Sequence, residues 1–331
     1  MGLSMKDIAK SAGVSVATVS NTLSGRKYVS PQLRERVEEA IKQLQYRPSK
    51  IARSLKTKKT FQIGLMVPDI TNPYFAEIAR GVESIALQNG YQLFLCNTDG
   101  HASREEKAIH SFLDQRADGI INVAPRMSDE PLCSYARQVP TVILDREILE
   151  MPHGVDLVYT NNYDGPNELA RYLIKLGHHQ FVCITGPDDV PSNRKRVEGF
   201  EYGLFTDGIP RSRLLLVHGD FSFESGFRGM EEVFEQNPRP TALFCCNDLM
   251  AWGALEAAKQ KGMKIPKDIA IAGFDNVYFS EFIVPTLTTI HQPKFEAGQI
   301  AMKTLLTRFE AKQGHPKKIE LTTQLIIRKS T

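Results

Sequence analysis

Apolar residues recur along this chain with two different periods, and the change falls near residue 60. Over the first 46 positions they come three or four apart. They stand at Ile8, Ala9 and Ala12, then at Val19 and Leu23, then at Leu33, Val37, Ile41 and Leu44. Each group predicts a short amphipathic helix with its stripe turned inward. Ser4 and Asp7 form an S-x-x-D capping pattern for the first helix. Gly13 permits a tight turn, Ser15 opens the second helix, and Ser30 with Pro31 opens the third. A turn of about three residues between the first two helices matches a helix-turn-helix. It leaves Val16, Ala17, Ser20 and Asn21 on the outer face near the start of the second helix, where a recognition helix meets major-groove base edges.

Residues 47–60, RPSKIARSLKTKKT, read as a linker with a short helical piece edged by Ile51, Ala52 and Leu55. About eight residues are too few for a stable isolated helix, so this piece is expected to order only on DNA. From residue 61 the apolar runs become short and continuous: FQIGLMVPD, YQLFLCNTD, GIINVA, TVILDR, LVYTN, QFVCITGP, LLLVHGDF, TALFCCND and IAIAGFDN. Runs rich in Val, Ile and Leu, separated by helical patterns, predict an α/β architecture of parallel strands buried on both faces. Nine or ten such strands divide more readily into two open sheets than they crowd into one.

Charge is distributed unevenly over these two parts. Residues 1–60 hold 13 Lys and Arg against 4 Asp and Glu, whereas the remainder holds 28 against 34. A head of +9 on a body of −6 points to a polyanion partner for the head alone. With 42% apolar and 24% charged residues in 331, the chain can bury two or three cores. Lys6, Asp7 and Lys10 interrupt the start, and no stretch approaches eighteen uncharged apolar residues; neither export nor membrane insertion is expected. Cys96, Cys133, Cys183, Cys245 and Cys246 lie mostly in strand-like runs without metal-ligand spacing, as reduced thiols of a cytosolic protein do.

Polar residues gather at the carboxyl ends of the runs: Asp69 with Asn72, Asp145 with Arg146, Asn161, Phe221, Asn247 with Asp248, and Asp275. Open α/β sheets bind ligands at that edge. Carboxylates, amides, an arginine and flat aromatics suit a neutral polyhydroxylated ligand, with Tyr74, Phe75 and Phe221 covering its C–H faces. Walker, nucleophile-elbow, zincin and dinucleotide fingerprints are missing, so catalysis has no evident seat and no cofactor or metal is expected. His178 and His179 are adjacent, point apart and read as surface residues after Gly177. A sugar kinase or isomerase is the enzymatic alternative, distinguishable by turnover.

MKDIAKSAGVSVATVSNTLSG, followed by YVSPQLRERVEEAIKQLQYRPSKIARSLKTKKT, resembles the head and hinge of the LacI/GalR family of bacterial transcription regulators, and the likeness runs on to LTTIHQPKFEAGQIAMKTLL. It implies a three-helix DNA-binding head over 1–46, a hinge over 47–60, and a periplasmic-binding-protein-like core of two parallel sheets over 61–331. Its lobes would span about 61–162 with 291–323, and about 163–290 with 324–331. The DNA-contacting set implied is Ser15, Val16, Ala17, Ser20, Asn21, Arg26, Lys27, Leu55 and Lys56, with Leu55 wedging a minor-groove step. TNPYF, LDR, RKRVEGF, GDF, CND, GFD and IHQP look like the pocket motifs of the family's ribose regulators and of periplasmic ribose-binding proteins. Carried over, they give Asn72, Tyr74, Phe75, Asp145, Arg146, Arg196, Phe221, Asn247, Asp275 and Gln292 as ligand residues.

Other family members bind a purine corepressor, and their pattern has a glutamate directly after the phenylalanine of GDF. This chain has Ser222 there, and Val190 and Ser192 where an arginine and a threonine are expected. The resemblance therefore implies a cytoplasmic, nucleoid-associated homodimeric repressor on a palindromic operator, answering to a small sugar, ribose ahead of other pentoses or hexoses. In it the effector closes the lobes and changes the spacing of the hinge helices.

Overall fold

The computed structural model describes residues 3–25, 27–46, 59–148, 155–236, 239–310 and 315–331. It divides into two compact units, Met1–Phe61 and Gln62–Thr331. In the first unit α1 (Met5–Ala12), α2 (Val16–Ser24) and α3 (Pro31–Gln43) enclose Ile8, Ala9, Ala12, Val19, Val37 and Ala40. The Asp7 carboxylate reaches back to the Ser4 N–H at 2.8 Å, and these bonds from Ser4 hold its pKa below the ordinary value. Gly13 turns at φ +63° and Arg36 of α3 donates to its carbonyl. Leu23 departs from expectation: it is 37% exposed. Of the described residues of α2, Val19 is the one in the buried cluster, and Leu23, one turn later and next to the helix end, is left outside it.

The second unit holds two six-stranded sheets. One has the order β11-β5-β4-β3-β1-β2 and is parallel throughout. Its strands are β1 (Gln62–Val67), β2 (Gln92–Asn97), β3 (Gly119–Val123), β4 (Thr141–Leu144), β5 (Val155–Thr160) and β11 (Lys318–Leu321). The other, β12-β10-β9-β8-β6-β7, is parallel except where β12 (Gln324–Ile326) pairs antiparallel with β10 (Thr288–His291). It includes β6 (Phe181–Thr185), β7 (Leu214–His218), β8 (Ala242–Cys245) and β9 (Ala270–Asp275).

Helices cover both sheets: α4 (Pro73–Gln88), α5 (Ala102–Asp114), α6 (Asp129–Ala136) and α11 (Lys294–Glu310) on the first, and α7 (Asp164–Lys175), α8 (Pro191–Thr206), α9 (Phe223–Phe234) and α10 (Asp248–Gln260) on the second. The chain crosses between sheets after β5, returns after β10, and crosses again between β11 and β12.

The central strands are buried along their whole length, as continuous apolar runs require. β2 and β7 are edge strands, so Phe94, Leu95 and Leu216 are exposed instead of buried on both faces. α4 packs closely on α11 along its length. A Cβ on Gly81 would stand 2.1 Å from the Phe295 carbonyl oxygen, well inside van der Waals contact, so only glycine lets the two backbones approach this far.

Candidate functional site

A cavity of about 570 Å³ opens where carboxyl ends of strands from both sheets converge. Eight of the ten residues expected from the sequence line it: Asn72, Tyr74, Phe75, Asp145, Arg196, Phe221, Asn247 and Asp275. Asp145 follows β4 at φ +60°, Phe221 follows β7 at φ +70° and Asp275 ends β9 at φ +109°. Left-handed backbone costs such residues roughly 1–3 kcal/mol each, and strain of this kind concentrates at binding sites. The Phe221 ring lies over Gly186, where a Cβ would collide with it.

Arg196 is almost wholly buried on α8. Its Nε donates to Asn162 Oδ1 at 2.8 Å and one terminal nitrogen donates to the Cys246 carbonyl at 2.6 Å. That nitrogen also stands 3.6 Å from the Asp275 carboxylate, and the guanidinium lies 3.8 Å over the Phe274 ring. Burial pushes Asp275 up to about 7 against the opposing pull of Arg196. Asp145 is raised for the same reason, and one of its oxygens is buried without a hydrogen-bond partner. Tyr74 is driven well above its usual value by burial beside these two carboxylates. Two carboxylates on different sheets thus face one guanidinium, and a ligand with several hydroxyls can donate to the first and accept from the second.

The two remaining residues lie elsewhere. Gln292 stands behind the wall, its amide donating to Asp275 Oδ1 at 2.7 Å while its carbonyl oxygen accepts from the Tyr74 hydroxyl at 3.3 Å. Arg146 is turned away, a correction to the expected pocket. Past the end of β4, Asp145 enters the cavity, whereas Arg146 reaches the Asp129 carboxylate and the carbonyls of Pro125 and Met127. There it lines a second cavity of about 620 Å³ with Asn161 and Tyr163.

Asn72 and Asn247 serve partly as caps, accepting from Tyr74 N and Met250 N, and the Asn247 amide also donates to the Phe221 carbonyl. Asp248, expected at the strand-end face, is fully buried. It accepts from Val277 N, Ser280 Oγ and Thr289 Oγ1, and burial raises it to about 6. Sequence reasoning missed Asn162, which orients Arg196 from a chain crossing; its only signal was its place beside Asn161.

In the N-terminal unit Ser15 caps α2, accepting from Thr18 N at 3.0 Å. Val16 and Ala17 are exposed and Ser20 and Asn21 half-buried along the same helix, with Lys27 exposed beyond it. Arg26, Leu55, Lys56 and the hinge over 47–58 lie outside the described residues. Among the described residues no group of three His, Cys, Asp or Glu could hold a metal ion, and no helix is long and apolar enough to cross a membrane.

Comparison with known proteins covers nearly the whole chain. Residues 4–49 match the model for bacterial regulatory proteins of the lacI family, and residues 60–329 the model for periplasmic binding proteins and the sugar binding domain of the LacI family. The Ribose operon repressor of Escherichia coli (strain K12) is 37% identical over 98% of this chain and 99% of its own length. The HTH-type transcriptional repressor PurR of Aliivibrio salmonicida (strain LFI1238) is 35% identical over 98% of each. Among solved structures, a LacI family transcriptional regulator from Enterococcus faecium with bound ribose is 30% identical, with a TM-score of 0.76 over 82% of this chain and 98% of that one. The lac repressor dimer bound to operator and an anti-inducer is 28% identical, with a TM-score of 0.87 over 100% and 99%.

Proposed function

We propose that this chain, which belongs to the lacI family of bacterial regulatory proteins and is a DNA-binding repressor rather than an enzyme, takes a small unphosphorylated sugar, ribose first, as the effector that sets its operator affinity. The observation that carries this reading is the buried Arg196 guanidinium between Asp275 of one sheet and Asp145 of the other. Vicinal hydroxyls bridge such a set, and Tyr74, Phe75 and Phe221 present flat faces to the C–H groups of the ring. Each charge-assisted bond contributes roughly 1.5–3 kcal/mol. Because the partners sit on both sheets, the ligand favours the arrangement that brings the sheets together.

Similarity alone leaves ribose and purine relatives nearly level, at 37% and 35% identity; the residues favour the sugar. Ser222 follows Phe221, and its hydroxyl is spent on Asp220 and on capping α9. Beside Arg126 and Arg196 the lining carries Asp69, Asp99, Asp145, Asp220, Glu224 and Asp275, an acidic excess that opposes sugar phosphates.

On this reading the protein acts as a cytoplasmic homodimer on a palindromic operator, as the lac repressor structure shows a dimer on its operator. Val16, Ala17, Ser20 and Asn21 face the major groove, Leu55 and Lys56 serve the hinge, and sugar releases the DNA. Fluorescence anisotropy on an operator selected from random duplexes tests this. D-ribose is expected to weaken binding, and indifference to every sugar tried would defeat the proposal.

A further inference from the structure

Lys294 begins α11, where the chain returns from the second sheet to the helices of the first. It is 3% exposed, an uncommon place for an ammonium. Its Nζ donates to the carbonyls of Asp275 at 2.7 Å, Asn276 at 2.8 Å and Gln292 at 3.3 Å, and lies 3.8 Å from the Glu77 carboxylate on α4. Asp275 and Asn276 are consecutive non-glycine residues at φ +109° and +53°, a backbone that side chains resist and that needs outside support.

We propose that Lys294 is a positioning residue of the effector cavity. Its ammonium gathers three carbonyls at the crossing between lobes and so holds the turn that aims the Asp275 carboxylate inward. Through Glu77 it ties that turn to the helix bearing Tyr74 and Phe75. The charged and titratable groups around Asp275 are Arg196, Asp248, Lys294 and Tyr74, with His291 opposite it on β10; of these, Arg196 and Lys294 favour its ionised form. The bonds to Lys294 are all made to protein atoms, so the positioning role stands apart from the sugar reading, whereas its effect on affinity rests on that reading.

The test is Lys294→Met in the full chain, which keeps length and removes charge. Carboxyl carbon NMR, with the Asp275 signal identified by its loss in Asp275→Asn, reads the result without ligand. Asp275 is expected to titrate at higher pH in the variant than in the wild type, and an unmoved titration in a folded variant overturns the proposal. With that shift, D-ribose affinity should fall tenfold or more; a shift with undiminished affinity also overturns it. A wild type that binds no sugar refutes the effector assignment alone, and the NMR result then decides the lysine. Should Lys294→Met fail to fold, lysine-ammonium nitrogen NMR replaces it, with Lys294→Arg for assignment. A slowly exchanging ammonium lost in the arginine variant supports the bonds, and a freely exchanging one overturns them.

Discussion

At the scale of single residues, the site depends on carboxyl groups buried away from the water that would otherwise keep them ionised. Asp275→Ala removes one charge-assisted partner worth roughly 1.5–3 kcal/mol, so D-ribose affinity should fall about 10- to 150-fold while the cooperative melt persists. Unchanged calorimetric affinity would move the pocket elsewhere. The raised pKa of Asp275 also sets a sign. Asp275 stays protonated in the folded protein up to about pH 7, whereas an unfolded aspartate loses its proton near 3.8. The unfolded chain therefore binds fewer protons between those values, and ligand-free stability should decline as pH rises across them, with Asp248 adding in the same direction. A sugar hydroxyl donating to ionised Asp275 reverses the balance. Ribose binding should release a proton at pH 6, release none at pH 8, and tighten up to about pH 7; calorimetry in buffers of different ionisation heat reads this, and proton uptake at pH 6 would contradict it.

Asp145, Phe221 and Asp275 were legible from sequence because a polar or aromatic residue ending an apolar run has few other places to go. Arg146 entered the expected pocket through the resemblance of LDR to the sugar-pocket motif, whereas its guanidinium is taken up by Asp129 and the carbonyls of Pro125 and Met127. Lys294 and Asn162 were not legible. Their partners lie 19 and 34 residues away, and a lone lysine or asparagine carries no local sign of such company.

At the scale of elements, continuous apolar runs identified the buried strands, while β10, β11 and β12 escaped. They are three or four residues long, with polar residues such as Thr288, Lys318 and Gln324, and only pairing with distant strands makes them strands at all. The head was legible through its caps, which act locally, but Leu23 shows that a four-residue spacing does not ensure burial near a helix end. If α2 reads bases, substituting Ala17 or Asn21 should change which operator is preferred in a selection experiment; equal loss on all sequences would remove them from base readout. The α4–α11 contact gives a stability prediction. Gly81→Ala must push the helices apart and should cost about 1–3 kcal/mol in denaturant unfolding, and an unaltered midpoint would sink the close-packing argument.

At the scale of the molecule, two units meet different partners: a basic head with an exposed helix face, and a core whose cavity draws residues from both sheets. Coupling between two sites is reciprocal, so whatever factor ribose takes from operator affinity, operator must take from ribose affinity. A coupling of about 1–3 kcal/mol corresponds to about 5- to 150-fold in each direction. Equal operator affinity with and without ribose, or equal ribose affinity with and without operator, would show that the two sites are not coupled.

The most direct test of the central claim is a calorimetric titration of the purified chain with D-ribose, run beside guanine and hypoxanthine. The arrangement of Asp145, Arg196 and Asp275 predicts saturable heat at one site per chain for ribose and none for either purine. Purine heat without ribose heat would contradict it.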